Sequence, residues 1–118
     1  MNWYIAKVVF NIAIGEGNHT PQFDEQYRLI KEQTIQAAFE KAERLGHGEE
    51  EMMLNDKNEM IKWEFVGVSE LYPIDELSDG MELCSSIREE RDRALYIETV
   101  QMKTAYVRSK LEPESERV

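Results

Sequence analysis

Apolar and polar residues alternate almost from the start of the chain. Tyr4, Ala6, Val8, Phe10, Ile12 and Ile14 fall on one side of an extended backbone, and Trp3, Ile5, Lys7, Val9, Asn11 and Ala13 on the other. Period two with one wholly apolar side predicts a long strand over 3–14, half-buried where Lys7 and Asn11 stand. Gly15-Glu16-Gly17-Asn18-His19-Thr20-Pro21 breaks it with loop formers. Alternation resumes from Phe23 to Glu32, with Phe23, Tyr27 and Leu29 on one side, and predicts an antiparallel partner strand.

The period then changes. Ile35, Ala38, Phe39, Ala42 and Leu45 follow the i, i+3, i+4, i+7 spacing of a helix face, with Thr34 placed to cap the N-terminus and Gly46 to end the helix. Asn55-Asp56-Lys57-Asn58 is a turn, because Asn and Asp tolerate left-handed backbone angles. It joins a short strand at Met52–Leu54 to one over Met60–Val68, in which Ile61, Trp63 and Phe65 face one way and Lys62, Glu64 and Val66 the other. Leu71–Leu77, around Pro73, reads as a loop or a single helical turn, and Asp79-Gly80 as a turn into a last strand over Met81–Ile87. No Gly or Pro occurs from Arg88 to Leu111, where Ile97, Val100, Thr104, Val107 and Leu111 are spaced 3-4-3-4. Helix is favoured there, although Tyr96, Ile97, Thr99 and Val100 also suit a strand.

These elements predict an α+β fold: an antiparallel sheet of four to five strands with one main helix packed on a face, plus a C-terminal helix or strand. Residues 1–88 form the single core domain. Residues 89–118 form an extension, ordered to about 111 and ending in a polar tail. A length of 118 residues buries roughly two-thirds of its extended surface, enough for a core without disulfide or metal staples. One helix cannot cover both faces of such a sheet, so apolar side chains on the second face need the C-terminal segment or another subunit over them.

Charge narrows the partners. A net charge of −10 opposes binding to nucleic acid or anionic lipid, which requires clustered Lys and Arg. No apolar run approaches the roughly 20 residues of a membrane-spanning helix, and the first residues lack the pattern of a secretion signal. A single cysteine, Cys84, suits a reducing compartment, and the expected location is the cytoplasm. The charge is also uneven. Residues 49–82 carry eleven acidic and two basic side chains, whereas 91–111 carry a net +3. Such runs are most simply solvated faces. The sharper reading makes the basic segment an assembly element that lies on a neighbour's acidic sheet.

In order along the chain stand Asn2-Trp3-Tyr4-Ile5-Ala6-Lys7, Gln26-Tyr27-Arg28-Leu29-Ile30, Ala38-Phe39-Glu40-Lys41-Ala42, Glu70-Leu71-Tyr72-Pro73 and Asp79-Gly80-Met81-Glu82-Leu83. Together they resemble the bacterial family of small proteins known as domain of unknown function 4288, over about residues 2–88. The resemblance implies no activity, because that family is uncharacterised. It places residues 89–118 outside the shared core.

The loop from Gly15 to Asp24 holds the candidate ligand-binding residues: Asn18, His19, Gln22 and Asp24, with Glu25 following. They supply donors, acceptors and one group that titrates near neutrality. The plainer reading is a hairpin loop whose polar groups cap its own backbone. His47 with Glu49, Glu50 and Glu51 has the donor types for a divalent cation, yet a solvated helix end is the plainer account of them. No nucleophile sits in a recognisable motif, and Cys84 beside Leu83 reads as a small core hydrophobe. No metal or cofactor is expected. The sequence favours a non-enzymatic, self-associating interaction module, a homodimer in its simplest form. The alternatives are an acidic inhibitor of the immunity type that blocks a basic protein partner, and a small-ligand or metal-assisted enzyme using His19, Asp24 and Glu25.

Overall fold

The computed structural model describes residues 1–111 and shows an α+β fold. The contacts divide it into two units, Met1–Cys84 and Ser85–Val118. The first unit contains β1 (Asn2–Ile14), β2 (Gln22–Glu32), α1 (Ile35–Gly48), β3 (Glu51–Leu54) and β4 (Met60–Ile74). The strands form one antiparallel sheet in the order β2-β1-β4-β3. The polar tail predicted after residue 111 lies outside the described residues.

Period two decides which side chains meet. The even positions of β1 put Tyr4, Ala6, Val8 and Phe10 on one face, where they are buried with Ile30 of β2 beneath Ala38 and Ala42 of α1. Leu45, Trp63, Phe65, Val68 and Leu71 close the margin of this core. Thr34 caps α1 as predicted, its Oγ1 accepting from the Ala37 N–H at 3.1 Å. The small residues Ala38, Ala42 and Gly46, four apart, form the helix stripe that is buried.

Four local expectations are corrected. The helix does not stop at Gly46 but continues to Gly48, with Glu49 donating its N–H to the Leu45 and Gly46 carbonyls. Gly46 is a helical residue pressed against the Phe65 ring, so it serves packing rather than termination. Leu71–Ile74, read as loop or turn, belongs to β4. Pro73 is tolerated because β3 pairs with β4 only over Met60–Trp63, which leaves the far stretch of β4 as an edge. No strand forms over Met81–Ile87: its alternating residues pair with neither the outer edge of β2 nor the far stretch of β4. Cys84 is consequently exposed and is not a core residue.

The second unit is built on α2 (Arg93–Ser109), which resolves the helix-or-strand ambiguity. Asp92 caps it, accepting from the Leu95 N–H at 3.0 Å. The hydroxyls of Thr99 and Thr104 donate to carbonyls one turn back, which fits β-prone residues into the helix. Ile97, Val100 and Val107 lie along one side and Leu95, Met102 and Tyr106 along the other, all exposed. No helix of the described residues is long and apolar enough to cross a membrane.

Candidate functional site

The five residues singled out in the sequence occupy three places. Asn18 and His19 stand in the β1–β2 loop, beside a hollow of about 450 Å³ that Glu16, Asn58 and Glu59 also line. His19 Nε2 accepts the Ile14 N–H at 3.0 Å, and Nδ1 faces the Thr20 carbonyl at 2.8 Å. A backbone N–H can only donate and a carbonyl can only accept, so the ring is fixed as the neutral Nδ1–H tautomer. Both nitrogens are engaged by main chain, and neither is free to take a proton from a substrate. Gly15 and Gly17 adopt φ of 59° and 86°, angles that complete the turn.

Gln22 and Asp24 belong to β2 on the face that carries α1, whereas Glu25, one residue on, projects from the opposite face. Asp24 opens onto a cleft of about 480 Å³ at the C-terminal end of α1, lined also by Phe10, Gln26, Trp63 and Glu49 to Glu51. Polar side chains run along β2 into this cleft. Gln26 Nε2 donates to Asp24 Oδ2 at 2.7 Å, and Arg28 donates to Gln26 Oε1 at 2.9 Å. Arg28 also grips Glu49 through two bonds of 2.7 and 2.9 Å. This bidentate pair holds the Glu49 carboxyl below the usual carboxylate range and raises the guanidinium. Glu50 accepts the Phe65 N–H at 3.0 Å, where β3 ends and β4 loses its neighbour. His47, expected near the metal-ligand types, lies against the Phe65 ring. Among the described residues no three His, Cys, Asp or Glu groups converge as ligands for a metal ion.

The face away from α1 is mixed. Lys7 lies at its centre, bonded to Glu25 at 3.1 Å and Glu70 at 3.2 Å across the two neighbouring strands. Those two carboxylates push the ammonium pKa well above its ordinary value. The Tyr72 hydroxyl donates to Glu70 and, together with Lys7, holds that carboxyl below the usual range. Toward one end the face is apolar. Trp3, Ile5, Tyr27, Leu29 and Ile74, with Leu77 and Leu83 beyond β4, enclose a groove of about 360 Å³. The acidic residues of the middle third are spread out: Glu49 to Glu51 at the cleft, Glu64 and Glu70 on the far face, Asp56 and Glu59 at the β3–β4 turn.

A depressed carboxyl has a direct consequence for stability. The Glu70 value in the unfolded chain is near 4.5 and the folded value is lower. Its contribution is complete above pH 4.5 and is lost as pH falls through the folded value. Urea midpoints at pH 7 and pH 3 are expected to differ less for Glu70→Gln than for the parent. An unchanged difference removes Glu70 from the acid response.

Sequence reasoning missed the run of bonds from Asp24 through Gln26 and Arg28 to Glu49. The signal was present, since Gln22, Asp24, Gln26 and Arg28 make one polar face of a strand whose other face carries Phe23, Tyr27 and Leu29. It missed Lys7 as an ion-pair centre, although a lysine amid apolar strand residues marks such a position.

No curated protein and no solved structure matches the chain at a significant level. The matching family model is the domain of unknown function DUF4288, over residues 3–85, so it spans the whole sheet with α1, and the chain belongs to that family.

Proposed function

We propose that this chain is a non-enzymatic interaction module that assembles with a second copy of itself through the β2 side of its sheet. The observation that carries the reading is the state of β2. It pairs with β1 over eleven consecutive positions with no bulge, and among the described residues no strand lies on its other side. Its Phe23, Tyr27 and Leu29 side chains remain 56%, 54% and 64% exposed. Long regular edge strands are templates for pairing, and monomeric proteins ordinarily blunt them.

The other open edge carries such blunting. β4 is interrupted by bulges at Val66 and Ser69, has Pro73 near its end, and has its Phe65 N–H taken by Glu50. The occupied nitrogens of His19 support an assembly role over a catalytic one.

Light scattering on the full chain is expected to give twice its 13.9 kDa mass. Leu29→Asp puts a charge into the exposed apolar row and is expected to return the mass to that of one chain. A parent protein that runs as a monomer overturns the reading, and a dimer indifferent to Leu29→Asp moves the interface away from β2.

A further inference from the structure

We infer that the second copy joins as a strand: β2 pairs antiparallel with β2 of its partner about a twofold axis through Gln26, which makes one continuous eight-stranded sheet. The inference rests on the self-association proposed above and adds the pairing mode and the register.

Both ends of the free edge point to the same centre. Pro21, just before β2, has no N–H to give to a ladder. At the other end the Lys31 carbonyl already accepts from Lys41 Nζ at 3.1 Å. Between them lie the nine residues from Gln22 to Ile30, and their midpoint is Gln26. In an antiparallel pair centred there, Pro21 of one copy faces Lys31 of the other, so the ladder ends at both sides for the same two reasons.

The side chains choose the same register. A twofold axis normal to the sheet preserves its faces, so only registers that pair even with even and odd with odd positions are allowed. With Gln26 opposite itself, Asp24 faces Arg28 of the partner, twice by symmetry, on the α1 side. On the far side Phe23 faces Leu29 of the partner, also twice. Opposite-charge and apolar cross-strand pairs are the stabilising kinds. Centring on Glu25 sets Glu25 against itself, and centring on Arg28 sets Arg28 against itself and Asp24 against Glu32. Centring on Tyr27 gives no charge pair and puts Phe23 against Lys31. One register satisfies both faces.

The donors needed are to hand. A guanidinium has five N–H groups, and Arg28 uses three of them on Gln26 and Glu49. Two are left for Asp24 of the partner. The run Asp24–Gln26–Arg28–Glu49 then continues across the axis into the partner's own run.

The test is a cysteine at the axis. In a Cys84→Ser background, which removes the exposed native thiol, Gln26→Cys places two sulfurs on facing residues. Facing Cα atoms are about 4.5–5.5 Å apart, inside the range that a disulfide spans. Mild oxidation is expected to convert the variant to a covalent dimer that reducing agent reverses. Tyr27→Cys in the same background faces Glu25 of the partner, with its own counterpart about 8 Å away, and is expected to stay monomeric on a non-reducing gel. Asp24→Arg sets Arg against Arg28 and is expected to weaken the dimer at least about tenfold. Linking through Tyr27→Cys and not Gln26→Cys overturns the register. A parent dimer that neither cysteine links overturns strand pairing while leaving self-association standing, and a monomeric parent overturns both.

Discussion

Phe10→Ala is expected to lower the unfolding free energy by about 4 kcal/mol, the cost of deleting a buried aromatic ring that its surroundings cannot refill. The ring is 1% exposed and sits in the core beneath α1. It meets Phe65 edge to face, with centroids 6.0 Å apart and planes at 63°, an arrangement that adds to the burial term. The strand on either side of it is held by register. Asp24 of β2 lies opposite on one flank and Phe65 of β4 on the other, so the backbone cannot move inward to close the hole. Small domains are stable by about 5–15 kcal/mol, and a loss of this size removes a large part of that margin. The measurement is a urea midpoint at fixed protein concentration. The slope is expected to stay near the parent value, since the surface exposed on unfolding hardly changes. Met52→Ala, on the far face of β3 at 65% exposure, serves as the comparison, and a change within about 0.5 kcal/mol is expected there. Equal losses at the two positions contradict a core centred on the even face of β1.

That contrast depends on faces, and faces were the most legible part of the sequence. Period two put Tyr4 to Phe10 on one apolar side of β1 and Phe23, Tyr27 and Leu29 together on one side of β2, because each residue step in a strand reverses direction whatever the neighbours do; that this side of β2 faces away from α1 depends on the register with β1. The helix register and the Thr34 cap were equally local and equally readable. What failed was everything decided by a partner distant in the chain. Whether Leu71–Ile74 is strand or loop depends on whether β1 reaches that far, and Trp3 does pair with Ile74. Met81–Ile87 has an alternating pattern but pairs with no strand, and pattern without a partner does not make a strand. The candidate residues divided on the same line. His19 was identified as a loop residue, but its fixation by the Ile14 N–H depends on how the turn closes. Asp24 and Glu25 are adjacent in sequence and were grouped for that reason, yet strand geometry sends them to opposite faces. Their true partners, Gln26 for the first and Lys7 for the second, come from the alternate position and from the neighbouring strand.

Gly46 gives the second large effect, and its sign separates two readings of one residue. A glycine that ends a helix is improved or left unchanged by alanine if its backbone angles are helical, because alanine restricts the unfolded chain and favours the helix by up to about 1 kcal/mol. Gly46 is helical, yet a Cβ on it overlaps Cδ1 and Cε1 of the Phe65 ring. That ring has little room to retreat, since Phe10 stands on one side of it and His47, with its centroid 4.7 Å away, on another. Overpacking of this kind costs about 1–3 kcal/mol and outweighs the gain in helix propensity, so Gly46→Ala is expected to destabilise by about 1–2 kcal/mol. Gly48, two residues on in the same helix, has no atom within 4 Å of the position a Cβ would take. Gly48→Ala therefore keeps the propensity gain without the clash and is expected to stabilise by about 0.5 kcal/mol. Paired urea midpoints measure both. Opposite signs place the Ala38–Ala42–Gly46 stripe in direct contact with the sheet, the close approach that lets one helix cover Tyr4 to Phe10. A gain at both positions means that α1 rides further from the sheet, with Phe65 free to move aside. In that event the cleft at the end of α1, which Phe10, Trp63 and Gly48 line, is wider than about 480 Å³ and the Arg28–Glu49 bond spans a looser edge.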